Sequence, residues 1–172
     1  DGNREEPFHH FMKIFKLLFP ILIVFHLCGY CFAETSAPFS LRVESLEKGK
    51  VLLDLPVQPG DRFSIHYIHS SDKTPIQDIF EVGEKGEMIL IEENYLWYGA
   101  GLECMNWEGA TVTMENKKTR VHLKRHFTSL LLRVGRIADH SLNLYGKAIP
   151  LKEIARGGEL LKIWVEPGGA SP

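Results

Sequence analysis

The sequence has little net charge, few cysteines and none of the common nucleotide-binding or nucleophile motifs. Its 172 residues include 20 Lys and Arg against 22 Asp and Glu, and the formal net charge of −2 argues against a nucleic-acid binder that neutralises phosphates. The chain contains no Gly-x-Ser-x-Gly elbow, no Gly-x-Gly-x-x-Gly and no phosphate loop. With 44% hydrophobic and 24% charged residues, its composition is typical of a globular protein and excludes wholesale disorder.

The N-terminal segment is typical of an export signal. Residues 12–16 are short and basic, residues 17–32 are mostly apolar, and Ala33 is a small residue of the kind that a signal peptidase reads. We therefore predict cleavage after Ala33 and a periplasmic or secreted protein. The alternative is an uncleaved anchor in the inner membrane formed by residues 14–33, although a membrane span requires roughly 20 apolar residues. Residues 1–33 are accordingly assigned to an N-terminal extension plus this signal.

Residues 34–172 are predicted to form a single β domain. They contain one cysteine, Cys104, so an intrachain disulfide is excluded. Alternating or β-rich runs are separated by turns that contain Gly or Asn, and only residues 151–156 have a helical pattern. We predict an all-β fold, an antiparallel β-sandwich or open barrel of about ten short strands, preceded by an N-terminal signal or anchor helix. The predicted strands are 39–43, 51–55, 63–69, 79–82, 88–91, 110–114, 120–123, 130–134, 141–145 and 161–165.

The first candidate for a functional segment begins in the predicted strand 63–69. Because side chains alternate between the two faces of a strand, Phe63, Tyr67 and His69 share one face. If that aromatic face is inward, His69 lies at the inner rim of the core, either as a hydrogen-bonded core residue or as a site residue. His66 points to the opposite face, so these two histidines cannot share a metal ion.

A metal site at a second histidine pair is also disfavoured. His122 and His126 share a face, but four strand residues separate them by about 13 Å, whereas a zinc ligand lies about 2 Å from the ion. We predict no metal site and no cofactor.

Two further segments have unusual patterns. Tyr98 is followed by Gly99 and Gly101, and small residues after an aromatic cluster let a strand or a ligand approach the backbone closely. Consecutive amides in such a loop can cradle an anion, and a packed aromatic corner with a bulge is the alternative. Asp139 precedes His140 and can orient its ring. The alternative is a purely structural turn in which the Asp139 side chain forms a local hydrogen bond.

Together, these segments carry a family resemblance. The matching residues are Tyr67-Ile68-His69-Ser70, Thr74-Pro75-Ile76, Asp78, Tyr98-Gly99-Ala100-Gly101-Leu102, residues 130–134, Asp139-His140-Ser141-Leu142, Gly146, Leu151 and Val165. From Phe63 to Val165 the chain resembles the bacterial domain of unknown function 1850 family, whose members are associated with TRAP transporters of the TAXI type. The family more often has Glu at the position of Asp78. The resemblance implies an exported or membrane-tethered small protein, in which His69, Ser70, Asp78 and the 99–101 loop form one site.

These observations predict a non-enzymatic accessory domain that binds a small ligand or a transporter component. The predicted partner is a TAXI-type solute-binding protein or a TRAP membrane subunit, with no nucleic acid and with membrane contact only through the N-terminal segment. One alternative is a hydrolase-like enzyme that uses His69 as general base, oriented by Asp78 or Asp139. The other is a purely structural β domain. The predicted ligand-binding residues are His69, Ser70, Asp78, Tyr98, Gly99, Gly101, Asp139 and His140.

Overall fold

The structure, a computed structural model, describes residues 38–70, 73–96 and 109–168. These residues contain eleven strands and one short helix, α1 (Leu151–Ile154). The strands are β1 (Phe39–Ser45), β2 (Lys50–Val57), β3 (Arg62–Ile68), β4 (Pro75–Val82), β5 (Met88–Leu96), β6 (Thr111–Glu115), β7 (Lys118–Phe127), β8 (Leu130–Arg133), β9 (Ser141–Leu144), β10 (Lys147–Pro150) and β11 (Leu160–Pro167).

The strands form two antiparallel sheets. One has four strands in the order β2-β1-β11-β8, and the other has seven in the order β10-β9-β3-β4-β5-β7-β6. The prediction of an all-β, antiparallel fold is therefore confirmed, with two separate sheets in the described residues. The predicted signal or anchor helix lies outside those residues. Within them, no helix has the length and apolar character that crossing a membrane requires.

Period-two alternation of apolar residues builds a core that both sheets share. In the four-stranded sheet, Val43 of β1 pairs with Ile163 of β11, and both side chains are buried. In the seven-stranded sheet, the rings of Phe63 on β3 and Phe80 on β4 stack with their centroids 5.1 Å apart. These four side chains and Leu142 of β9 belong to one cluster of buried residues. We call the face of the seven-stranded sheet that carries Phe63, Phe80 and Leu142 the inner face.

One strand and its turn were not predicted as the structure has them. The sequence prediction ends a strand at residue 145 and places no strand at residues 146–150, whereas β10 begins at Lys147 and pairs directly with Leu144. Tyr145 and Gly146 both have positive φ, 50° and 76°, which allows a two-residue hairpin connection between β9 and β10. The helical pattern at residues 151–156 corresponds to α1.

Replacement of Leu142 with Ala tests the shared core. Leu142 is fully buried, so Leu142→Ala is expected to lower the free energy of unfolding by about 2–5 kcal/mol through lost burial and a residual cavity. Leu131→Ala on β8 is the matched control, because Leu131 is 65% exposed and its truncation is expected to change stability by no more than about 0.5 kcal/mol. Urea unfolding monitored by circular dichroism measures both. Equal losses in the two variants would contradict the assignment of the core.

Candidate functional site

Two carboxyl groups interrupt the apolar inner face of the seven-stranded sheet. Asp78 on β4 lies between the cross-strand partners Ile65 on β3 and Glu93 on β5. Side chains that stand directly opposite in an antiparallel pair have Cβ atoms about 4.5–5.5 Å apart, so the two carboxyl groups are neighbours. Arg125 on β7, the register partner of the inner-face residue Leu90, adds a positive charge that acts on Glu93.

An aromatic residue links this pair to the adjacent loop. The Tyr67 hydroxyl donates a hydrogen bond to the Asp78 carboxylate. The Tyr67 ring also stacks on the His140 ring, with centroids 5.5 Å apart and planes inclined by 29°. His140 is itself positioned by the Gly135 backbone N–H, which donates to Nδ1 at 3.0 Å. We call Tyr67, Asp78, Glu93, Arg125 and His140 the carboxyl cluster.

The environment of the carboxyl cluster favours neutral side chains. Burial and the neighbouring charge of Glu93 raise the pKa of Asp78 from 3.8 to about 7, against the opposing effect of the hydrogen bond from Tyr67. Burial also raises the pKa of Glu93, although the positive charge of Arg125 acts in the opposite direction. Burial lowers the pKa of His140. Near neutral pH, the two adjacent carboxyl groups therefore retain a proton that isolated carboxylates would have lost.

A cavity of about 800 Å³ lies at the end of the sheet where β3, β4, β5 and β7 come together. Tyr67, Ile76 and Tyr95 contribute an apolar wall, and Gln77 and Arg120 contribute polar groups. Tyr67 belongs to both the cavity wall and the carboxyl cluster, and Asp78 and Glu93 retain partial exposure. Asp78 and Glu93 are not part of the described cavity lining, but they lie two residues along β4 and β5 from its wall residues Ile76 and Tyr95.

The structure places two of the predicted site residues, Asp78 and His140, in the carboxyl cluster. Asp78 lies within β4 rather than at a strand end. His69 lies in the turn between β3 and β4, where its backbone N–H donates to the Thr74 carbonyl at 2.8 Å and its carbonyl accepts from the Lys73 N–H at 3.1 Å. Ser70 is exposed, and its carbonyl accepts a hydrogen bond from Lys73 Nζ.

A further predicted site residue, Asp139, lies outside the carboxyl cluster. The Asp139 carboxylate forms an ion pair with Lys152, while the hydrogen bond on the His140 ring comes from Gly135. Asp139 also lines the 800 Å³ cavity. Tyr98, Gly99 and Gly101 fall outside the described residues, so their role stays a prediction.

The sequence prediction missed Glu93 and Arg125. Simple alternation from Met88 places Glu92 on the inner face, but the register shifts between Ile79 and Phe80 on the partner strand, so that Glu93 faces inward instead. A β-bulge of this kind reverses the faces of all residues that follow it. The run of two acidic residues, Glu92-Glu93, was the available signal, because alternation brings one of the two to the inner face whichever register holds.

A further polar pair lies on the opposite face of the sheet. Ser64 Oγ and His66 Nε2 are 2.9 Å apart on β3, and burial lowers the pKa of His66. Among the described residues, no group of three or more His, Cys, Asp or Glu is able to hold a metal ion.

The raised pKa of Asp78 predicts how stability depends on pH. Because the folded protein holds the Asp78 proton more tightly than the unfolded chain does, ionisation disfavours folding, and stability falls as the pH rises from about 4 to about 7. Asp78→Asn removes this contribution. Relative to the wild type, the variant is therefore expected to gain stability over that range, by up to about 4 kcal/mol.

Urea unfolding of both proteins at pH 4 to pH 8 measures this difference. Subtracting the unfolding free energy of the wild type from that of the variant at each pH cancels the contribution of His140. This contribution has the opposite sign, because the lowered pKa of His140 makes stability rise with pH. Glu115→Gln, at an exposed position on β6, is the control and is expected to leave the pH profile unchanged. A constant difference between Asp78→Asn and the wild type across this range would refute the assigned environment of Asp78.

Comparisons with known proteins place the chain in a family. A search of curated proteins found no match, and a search of solved structures found none either. A family model described as a domain of unknown function (DUF1850) matches residues 63–151, just over half of the chain. The match includes every member of the carboxyl cluster and confirms the family predicted from the sequence motifs. The chain therefore belongs to the DUF1850 family.

Proposed function

We propose that this chain is an exported, non-enzymatic domain that binds a small ligand in the service of TAXI-type TRAP solute uptake. The observation that carries the binding role is the pair of adjacent carboxyl groups, Asp78 and Glu93, which lie on the inner face next to Ile76 and Tyr95 of the 800 Å³ cavity wall. Export is supported by the signal pattern that ends at Ala33, and the link to transport by the resemblance of the sequence motifs.

The ligand that suits this site carries a protonated amine. Two neighbouring, partly buried carboxyl groups disfavour ionisation, and a ligand cation placed beside them relieves both the repulsion and the loss of hydration. The Tyr67 ring on the cavity wall is partly exposed, and an ammonium group beside an aromatic ring is electrostatically favoured. Binding of such a cation lowers the pKa of Asp78 and therefore releases a proton near neutral pH.

A purely structural role accounts less well for the carboxyl cluster. Carboxyl groups whose pKa is raised by burial are less stable when ionised than they would be in water, and apolar side chains of similar size would serve folding better. Proteins retain such groups where they act on a ligand or a proton, because functional sites concentrate perturbed pKa values.

The enzymatic alternative has one observation in its favour. The 2.9 Å separation of Ser64 Oγ and His66 Nε2 suits a nucleophile and a general base. Within residues 38–70, 73–96 and 109–168, however, no carboxylate forms a hydrogen bond or ion pair with His66. A hydrolase based on His69 has no support from the two proposed orienting groups, because Asp78 accepts a hydrogen bond from Tyr67 and Asp139 pairs with Lys152.

Calorimetric titration of the purified protein tests the proposed ligand class. The panel comprises primary amines, amino acids and dicarboxylates, each titrated at pH 7 in two buffers with different heats of ionisation. We expect amine-bearing compounds to bind with proton release, and Tyr67→Phe and Asp78→Asn each to weaken binding about tenfold or more through loss of a hydrogen bond or a charge. Glu84→Gln, at an exposed position in the turn between β4 and β5 and outside the cavity lining, is the matched control. Binding of dicarboxylates alone, or binding that Asp78→Asn leaves unchanged, would rule out the amine assignment.

Titration with the TAXI-type solute-binding protein tests the transport partner separately. We expect saturable binding. If a properly folded solute-binding protein does not bind, the proposed role in transport is contradicted, whereas the proposed ligand site is tested independently by the calorimetric titration.

The enzymatic alternative makes a different prediction. If Ser64 and His66 act in acyl transfer, the protein hydrolyses p-nitrophenyl acetate, and Ser64→Ala abolishes the turnover while His122→Ala preserves it. If His69 is the general base instead, His69→Ala abolishes the turnover. We expect no turnover above that of buffer in the wild type, and a turnover that Ser64→Ala or His69→Ala removes would overturn the non-enzymatic assignment.

A further inference from the structure

A second concave site lies around α1, and its lining is mainly cationic. The cleft has a volume of about 540 Å³ and is bordered by the loop after β1, the loop after β8, and α1 with the turn that follows it. Four cationic side chains line it against the single carboxylate of Glu153, namely Lys48, Arg136, Lys152 and Arg156. In a chain with a net charge of −2, this is a local concentration of positive charge.

A buried carboxylate fixes the framework of the cleft. Glu159 is almost fully buried, and its two carboxylate oxygens lie 2.8 Å and 3.0 Å from Lys48 Nζ. The Arg156 backbone N–H donates to Glu159 at 3.0 Å. Hydrogen bonds from Lys48, from Ser45 and from the Arg156 backbone hold the pKa of Glu159 well below its usual range. The turn at residues 156–159 and the Lys48 side chain are therefore held in place independently of any ligand.

Acidic groups around the cleft neutralise only part of its positive charge. Lys48 is paired with Glu159 and Lys152 with Asp139. In the part of the chain that the structure describes, the guanidinium groups of Arg136 and Arg156 form no ion pair and no hydrogen bond. Two arginines with unused donors thus point to a binding partner of negative charge.

Arg136 is exposed, but the stem of its side chain lies against the turn at residues 157–158. A Cβ atom at Gly157 would lie 3.1 Å from Arg136 Cγ, and one at Gly158 would lie 3.8 Å from Arg136 Nε. The glycines therefore let the stem of Arg136 lie directly over the turn. Arg133 reinforces the same turn by donating from Nη1 to the Gly158 carbonyl at 2.7 Å. The contact of the Arg136 stem with the turn limits the freedom of the Arg136 guanidinium group, so less conformational entropy is lost when that group binds an anion.

We propose that this cleft binds a phosphate group. Arginine side chains present planar, paired donors that match the oxygens of phosphate, and charge-assisted hydrogen bonds of this kind are about twice as strong as neutral ones. Cations that converge from three separate segments suit a tetrahedral anion with several oxygens. The cleft is larger than a phosphate ion and leaves room for the group to which the phosphate is esterified. A free phosphate ester and an anionic lipid headgroup share this chemistry.

Binding of two probes by the full chain tests the proposal. Inorganic phosphate is titrated by ³¹P NMR, and vesicles of phosphatidylglycerol are compared with vesicles of phosphatidylcholine by sedimentation, both at low salt. We expect one or both anionic probes to bind, and the double variant Arg136→Gln/Arg156→Gln to weaken that binding at least about tenfold. The double variant Lys124→Gln/Lys147→Gln removes the same charge from exposed strand positions and is the control.

The outcomes separate the two sources of phosphate. Binding of inorganic phosphate that is lost in the arginine variant supports a soluble phosphate ligand, and binding of phosphatidylglycerol vesicles alone supports a lipid headgroup. The proposal is overturned if neither probe binds, or if the arginine variant and the lysine control lose equal amounts of binding. Asp78→Asn is expected to bind phosphate as the wild type does, so failure of the amine site leaves this result interpretable.

Discussion

The packing of the inner face of the seven-stranded sheet against the four-stranded sheet is the interaction on which the rest of the structure depends. Because side chains alternate along every strand, the register in which neighbouring strands pair determines which residues reach this interface. Phe63, Phe80 and Leu142 meet Val43 and Ile163 there, and the resulting core holds the strand ends and loops at defined positions. Both candidate sites are built on groups that this packing positions. One lies on the continuation of the inner face, and the other lies on the β1–β2 loop and on two connections between the sheets, β8–β9 and β10–β11.

The carboxyl cluster lies where the inner face extends beyond this main core. Ile76, Tyr95 and Val121 form a second, smaller buried cluster in this region, and Val112 and Met114 on the terminal strand β6 are 40% and 60% exposed. Water therefore reaches part of the same face that is dry near Phe63. Asp78 and Glu93 occupy this intermediate environment, where burial is sufficient to raise their pKa values while part of each side chain remains exposed. A fully buried pair would be inaccessible, and a fully exposed pair would ionise normally.

Much of the fold follows from local pattern, whereas the sites depend on contacts between distant segments. Alternation predicts the strand that contains Phe63 and Tyr67 and the face that they share. Asp78 and His140 are candidates because of the family resemblance, not because of alternation. It does not predict which strand lies beside which, so the contact of Asp78 with Glu93 could not be inferred. The bulge beside Phe80 also reverses the faces of Glu92 and Glu93 relative to simple alternation. The basic cleft was not predicted either. Its cations come from three separate segments, and no single segment is rich in positive charge.

The loop between β8 and β9 connects the two sites physically. Its residue His140 stacks on Tyr67 of the carboxyl cluster, while the preceding Asp139 pairs with Lys152 of the basic cleft. Asp139 has a φ of +43°, a conformation that is unfavourable for most residues and is maintained by the contacts on either side. The Ala138 carbonyl accepts the Ile68 N–H at 2.7 Å, which ties this loop to the end of β3 next to Tyr67. The ion pair of Asp139 with Lys152 and the stacking of His140 on Tyr67 therefore fix two adjacent residues of one loop, each against a different site.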